Sequence, residues 1–341
     1  MSFENYRSRN WSSFYRFCLI LLLQFPFLAV YGQTDSIDRN DPALEKIVPK
    51  GAKLEKVATG FGFTEGPVWN AQHLFFSDIN AATINELDEN GKVTLFLGRE
   101  LFTQKDPRIS GVPGTNGLTL DKEGRLTICD QGHRVISRRE SNGRITVLAD
   151  QFEGKRLNSP NDIIYKSDGS LYFSDPPYGL EKEDNDPHKE LSVNGVYRLA
   201  GGKLSLVLKE LPRPNGLAFS PDEKYLYIDN SEPQKKFMKY PVNPDGTLGP
   251  GTLFYDVSGA SGPGVPDGLK VDTQGNVYGT GPGGVWIFSP EGKHLGTIRV
   301  PEVAANCAWG GTDGRTLYIT ATSSIYRIQL LIPGIRPGST R

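Results

Sequence analysis

Six times along this chain a short oxygen-bearing side chain precedes a small or apolar residue and opens a strand-like run. The six are Glu65 (TEGPVW), Asn116 (TNGLTL), Asn161 (PNDIIY), Asn215 (PNGLAF), Asp267 (PDGLKV) and Asn306 (ANCAWG), spaced by 51, 45, 54, 52 and 39 residues. Repetition at this length is the mark of a propeller, because one such unit cannot bury its faces alone and must stack on neighbours. If each anchor begins the innermost strand of a blade, all six point into one end of a shared axial tunnel. Two carboxylates and four amides then surround one point.

The same grammar follows each anchor. An apolar strand comes first, then a turn of Asp, Asn and Gly, then a strand rich in Leu, Tyr and Phe, as in NGLTLDKEGRLTICD, NDIIYKSDGSLYFSD and NGLAFSPDEKYLYID. Gly and Asn suit these hairpins because they accept positive φ cheaply. Third strands are predicted at 83–87, 135–138, 195–199, 236–240, 284–288 and 324–328, and fourth strands at, for example, 92–97, 145–148 and 205–208. Four strands per unit and six units predict an all-β, six-bladed propeller over 53–330. The sixth unit has no clear fourth strand of its own, and 53–59 can supply it, which would latch the ring and remove a sheet edge. Amphipathic helical periodicity is nearly absent, so a (β/α)₈ barrel is excluded.

The remaining segments are a lead segment at 33–52, a tail at 331–341 and the first 32 residues. Arg7, Arg9 and Arg16 precede the apolar run 17–30, with small Gly32 behind it, the layout of a secretory signal peptide. Gln24 and Pro26 interrupt the run, which is also short for a spanning helix. Removal of 1–32 predicts an exported, periplasmic or secreted chain. It takes Cys18 with it and leaves Cys129 and Cys307, in blades two and six, as two buried thiols rather than a disulfide. The net charge of −1 provides no basic footprint for nucleic acid or an anionic membrane, so a small-molecule partner is expected. The longest interruption, 176–194, is charged and Pro-punctuated and reads as a loop able to cover the tunnel mouth, with 107–115 as a second such loop.

Asn or Asp before Gly is often mere turn chemistry. Recurrence at one place in every unit, and the replacement of the amide by Glu65 and Asp267, argue for more. Two carboxylates among amides match a divalent cation, and left unpaired they would be expensive to bury. An all-oxygen set suits Ca²⁺, with Mg²⁺ or Mn²⁺ admitted and Zn²⁺ less suited for want of a His or Cys cluster. His133, in DQGHRV after the second strand of unit two, is the histidine placed to face the mouth.

The chain resembles the gluconolactonase family, with senescence marker protein (regucalcin) and bacterial lactonase relatives, and more distantly diisopropylfluorophosphatase and paraoxonase. The resemblance covers roughly 55–330 and rests on Glu65-Gly66-Pro67-Val68-Trp69, Asn158-Ser159-Pro160-Asn161-Asp162, Tyr172-Phe173-Ser174-Asp175-Pro176-Pro177-Tyr178-Gly179, Pro214-Asn215-Gly216-Leu217-Ala218 and Pro266-Asp267-Gly268. It implies a tunnel metal held by Glu65, Asn215 and Asp267, with Asn161 as ligand or substrate contact. Asn116, His133 and Asn306 are the further candidate substrate contacts. In the animal sugar-lactonase branch an Arg stands two residues before the third-blade Asn, and here that position is Ser159.

No Ser–His–Asp arrangement or Gly-x-Ser-x-Gly elbow occurs. The expectation is therefore metal-dependent hydrolysis of a small lactone, with the cation polarising the carbonyl and Asp267 as general base. Two alternatives stay open from sequence: a metal-dependent arylesterase or phosphotriesterase, and a non-catalytic exported ligand-binding propeller.

Overall fold

The computed structural model describes residues 36–102 and 112–337; the predicted signal peptide and part of the 107–115 loop lie outside them. Six antiparallel blades succeed one another along the chain, their strands in sequence order from the innermost outward except for the outermost strands of blades five and six, which come from the start of the described chain. The innermost strands of blades one to six are Thr64–Asn70, Leu118–Leu120, Ile163–Tyr165, Pro214–Phe219, Leu269–Val271 and Ala304–Gly310. Every anchor lies within such a strand or two residues ahead of it, as the spacing predicts. Among the described residues the only helices are short 3₁₀ turns.

Both faces of a blade are covered by its neighbours, which explains why strands such as Leu171–Asp175 are buried along their whole length. The core is correspondingly divided. Phe75 and Ile84 of blade one pack on Leu118 and Ile128 of blade two, and Cys129 and Ile136 of blade two on Phe173 and Tyr197 of blade three. Tyr172 meets Leu217 and Ile228, and Phe237 meets Val277 and Phe288. Tyr278 and Ile287 meet Trp309 and Ile319, and Tyr318 and Ile325 return to Trp69 and Phe76 of blade one. Each apolar cluster is thus an interface between consecutive blades, and the last closes the ring. Full burial of a side chain such as Phe173 or Ile319 contributes roughly 1.5–3 kcal/mol.

Closure is also made by hydrogen bonds. Glu55–Thr59 is the outer strand of blade six and pairs antiparallel with Ser324–Gln329, Glu55 opposite Arg327 and Thr59 opposite Ser324. The lead segment does more than precede the ring. Ile37–Arg39 adds a fifth strand to blade five, with Ile37 opposite Ile298, and Leu44 is wholly buried behind it. Three residues with one buried side chain show no periodicity to read, so this strand had no signature in sequence. Residues 176–194 form the expected long loop, between Leu171–Asp175 and Gly195–Ala200, with one 3₁₀ turn at Glu183–Asn185.

Candidate active site

The chain leading into an anchor is held from the end of the next strand. Asp78 accepts the N–H groups of Gly62 (2.9 Å) and Phe63 (3.1 Å), just ahead of Glu65. Asp175 does the same for Asn158 (2.7 Å) and Ser159 (2.8 Å), at the same offsets from Asn161. In blade four Asn230 accepts from Arg213 N–H (2.8 Å), two residues before Asn215. These are buried carboxylates and an amide spent on orientation, which makes the anchor positions rigid.

Neighbouring anchors are then tied to one another. Ser77 Oγ donates to the Asn116 carbonyl (2.7 Å). Gly117 N–H donates to Asn161 O (2.7 Å), Gly216 N–H to Asp267 O (2.6 Å) and Gly268 N–H to Ala305 O (2.8 Å). A Cβ at Gly117 would stand 2.4 Å from Asn161 O, at Gly216 2.4 Å from Asp267 O, and at Gly268 2.0 Å from Asn306 Cγ. None of these three glycines has positive φ. At these three positions the glycine behind the anchor is therefore there for close approach of the next blade, not for a turn.

At the axis, side chains from four blades meet. Asn306 Nδ2 donates to Glu65 Oε2 (3.1 Å) and lies 3.4 Å from Asp162 Oδ2. Blades three and six face each other across the ring, so the Asp162–Asn306 contact spans it. Lys270 Nζ donates to Asn306 Oδ1 (3.0 Å) and Leu269 O (3.0 Å) and reaches Asp162 Oδ2 at 3.5 Å. Asn306 Oδ1 also accepts from Cys307 N–H (2.9 Å), so both ends of this amide are engaged within the protein. Asn116 is likewise engaged, donating to Gln131 Oε1 (3.3 Å). His133 is bound to its own blade, its Nδ1 2.8 Å from Asp130 Oδ2.

The carboxylates feel one another. Burial first, and the charge of Asp162 second, push Glu65 up to about 7, against the hydrogen bonds from Gly66 N–H and Asn306. Asp267 is raised well above the ordinary range by burial, then by Glu65 and Asp162, while Asn215 hydrogen-bonds it and opposes the rise. Asp229 is raised by burial and by Asp267 and Asp162, and its Oδ2 is buried with no hydrogen-bond partner among the described residues. Among those residues no three His, Cys, Asp or Glu side chains converge as a metal cluster. The expected set of two carboxylates and two amides is of a different kind.

Asp162, Asp229, Lys270 and Ser231 were not singled out from sequence. Asp162 carried a signal, since it stands where four anchors are followed by Gly. Asp229 also did: YIDN has a carboxylate where the other second strands carry Ser, Cys or Thr as their last residue but one (FSD, ICD, GTG, ITA). Ser159 Oγ donates to Pro176 O (2.8 Å) and accepts from Gly179 N–H (2.8 Å), so it clips the long loop. A cleft of about 700 Å³ at the rim of blade six, between Lys50, Glu55, Glu89 and Arg327, holds none of the anchors and is a solvated ion-pair edge.

The chain is similar to known proteins. A gluconolactonase of Zymomonas mobilis is 36% identical over 307 residues, covering 86% of this chain and 85% of the relative. A 6-deoxy-6-sulfogluconolactonase of Pseudomonas putida is 38% identical over 265 residues, covering 76% and 82%. The solved structure of a gluconolactonase from Xanthomonas campestris superposes with a TM-score of 0.75 at 30% identity, over 86% of this chain and 94% of that one. Residues 63–323 match the family model described as the SMP-30/Gluconolactonase/LRE-like region. The chain belongs to this family and is a lactone hydrolase.

Proposed function

We propose that the protein opens a small sugar-type lactone by metal-dependent hydrolysis, with Glu65, Asn161, Asn215 and Asp267 holding a divalent cation. The observation that carries this is the pair Glu65 and Asp267, brought from blades one and five into each other's field, with Lys270 as the basic group acting on both. The donor set fits such an ion. It is all oxygen, its two carboxylates match a charge of +2, and Asp229 Oδ2 adds a buried oxygen with no hydrogen-bond partner among the described residues. Ca²⁺ suits this set best, ahead of Mg²⁺ or Mn²⁺. When bound, the cation polarises the ester carbonyl and stabilises negative charge developing there.

Asp267 is the general base. Its carboxylate takes a proton from water while the water oxygen bonds to the carbonyl carbon. The ring C–O bond then breaks, and the departing oxygen takes the proton back from Asp267 to leave as a hydroxyl. Asn215, hydrogen-bonded to Asp267 and to Ser231 Oγ (3.1 Å), keeps that carboxylate oriented. Glucono-lactones are the substrate class favoured by the relatives' names. In a Ca²⁺-loaded sample, Asp267→Asn should lower kcat on glucono-1,5-lactone about 10³-fold, while calorimetric Ca²⁺ binding weakens only partly. Wild-type turnover in that variant would remove Asp267 from the chemistry, and turnover that survives chelation would remove the metal.

A further inference from the structure

Glu65 and Asp267 match the charge of one divalent cation, and Asp162 brings a third carboxylate to the axis. Glu65, Asp162 and Asn306 are each no more than 3% exposed. Asp162 directly follows Asn161, a member of the proposed donor set, and shares the Asn306 amide with Glu65. Left to itself it would compete for the same ion. What meets it is the Lys270 ammonium of blade five.

That ammonium sits as a metal ion sits. Its three N–H bonds have three oxygens from three blades within reach. They are Asn306 Oδ1 of blade six at 3.0 Å, Leu269 O of blade five at 3.0 Å and Asp162 Oδ2 of blade three at 3.5 Å. A carboxylate, an amide and a backbone carbonyl are the ligand types a hard cation takes. Asn306 is turned to suit a cation there. Its Oδ1 faces Lys270 Nζ and Cys307 N–H (2.9 Å), which leaves Nδ2 for Glu65 Oε2 (3.1 Å) and Asp162 Oδ2 (3.4 Å). Two residues before Lys270, Gly268 lets Asn306 come this close, since a Cβ there would stand 2.0 Å from Asn306 Cγ.

We propose that Lys270 is a tethered cation: its ammonium fills a second cation position on the tunnel axis, neutralises Asp162 and so keeps the metal ion with Glu65 and Asp267. The last step rests on the metal-dependent function proposed above, and the first two stand on the geometry alone. Lys270 is thus a positioning residue. Without its side chain, Asp162 Oδ2, Asn306 Oδ1 and Leu269 O form an oxygen site whose remaining ligands are waters.

The test is equilibrium dialysis of wild type, Lys270→Ala and Lys270→Ala/Asp162→Asn against Ca²⁺, with thermal unfolding of each in chelator and in Ca²⁺. Lys270→Ala should bind one more Ca²⁺ per chain than wild type, with a dissociation constant on the order of 10⁻⁴–10⁻³ M for a site with a single carboxylate. At about ten times that concentration, Ca²⁺ should raise its Tm about 3 °C further than it raises that of wild type. The double variant should bind the same number of ions as wild type. An unchanged ion count in Lys270→Ala, or an extra ion in the double variant as well, would overturn the proposal. So would a Lys270→Ala chain that stays unfolded in Ca²⁺, because a metal ion could not then stand in for the ammonium. A wild type that binds no Ca²⁺ overturns the metal of the proposed function instead, and the difference in ion count between variant and wild type still decides the role of Lys270.

Discussion

Blades one, two, four and five carry glycine directly behind the anchor, whereas blades three and six carry Asp162 and Cys307. At Gly117, Gly216 and Gly268 the next blade fills the space a side chain would need. At Asp162 and Cys307 a side chain is admitted, and the two blades concerned lie opposite each other. Symmetry is broken along one diameter of the ring. On one side of it a carboxylate enters the axis, against Lys270 and Asn306. On the other side burial pushes the thiol up to about 12, so it remains a neutral, inert filler. The glycine-backed blades build the tunnel and bring Glu65 and Asp267 to it, and of the exceptional pair Asp162 adds a further carboxylate.

The largest effect should come from abolishing the difference in the restrictive direction. Gly216→Ala places a methyl against Asp267 O and 2.7 Å from both Asp229 Oδ2 and Leu269 N. Backbone cannot yield as a flexible side chain can, so we expect a loss of about 3 kcal/mol in urea unfolding together with loss of turnover. Gly259→Ala, where nothing lies within 4 Å, is the control and should be neutral. Equal stability of the two variants would remove close approach as the reason for glycine behind the anchor.

A smaller effect is expected at the charged exception. Asp162→Asn keeps the volume of the side chain but leaves the Lys270 ammonium without its carboxylate. The cost should be about 2 kcal/mol, below that of a fully buried pair because Lys270 retains some exposure. Adding Lys270→Met should recover much of it, since both charges are then gone. Urea unfolding of the two single variants and the double variant measures the coupling. Additive losses would show that Asp162 and Lys270 act independently, contrary to the geometry.

These residues also mark where sequence stops informing. The six anchors and the ring were legible because every blade must return to the axis at one place in its repeat, which leaves a period. Glu65 and Asp267 stood out against that period by their charge. Lys270 did not, because in DGLKV it is an ordinary polar residue alternating along a strand. Its role exists only once blade five is set beside blade six and across from blade three. The place of Tyr178 is hidden for a related reason: the Arg213 guanidinium against its ring belongs to the next blade, and loop composition says nothing of where a loop crosses. Asn306 reads like Asn161 in sequence, but in the ring both ends of its amide are engaged by Lys270, Cys307, Glu65 and Asp162.

Blade six differs from the others at the rim too, because its outer strand comes from the start of the ring. Glu302 joins the two ends of the chain there, accepting from Lys56 (3.0 Å) on Glu55–Thr59, from Tyr326 (2.7 Å) and from Ser323 (2.7 and 2.9 Å). Burial pushes this carboxyl up, but the hydrogen bonds from Ser324, Ser323, Tyr326 and Lys56 outweigh it and hold it well below its ordinary value of 4.5. A depressed folded-state value means that Glu302 stabilises the fold above that pH and loses its contribution as pH falls. Thermal unfolding of wild type and Glu302→Gln should therefore differ by a few degrees at pH 7, roughly as expected for about 1–2 kcal/mol in a chain this size, a gap that begins to narrow as the pH falls below 4.5 and closes only well beneath it. A difference that stays constant with pH would mean that Glu302 acts by shape and not by charge. The distinction between blade six and the other blades would then rest on Asn306 and Cys307 at the axis alone.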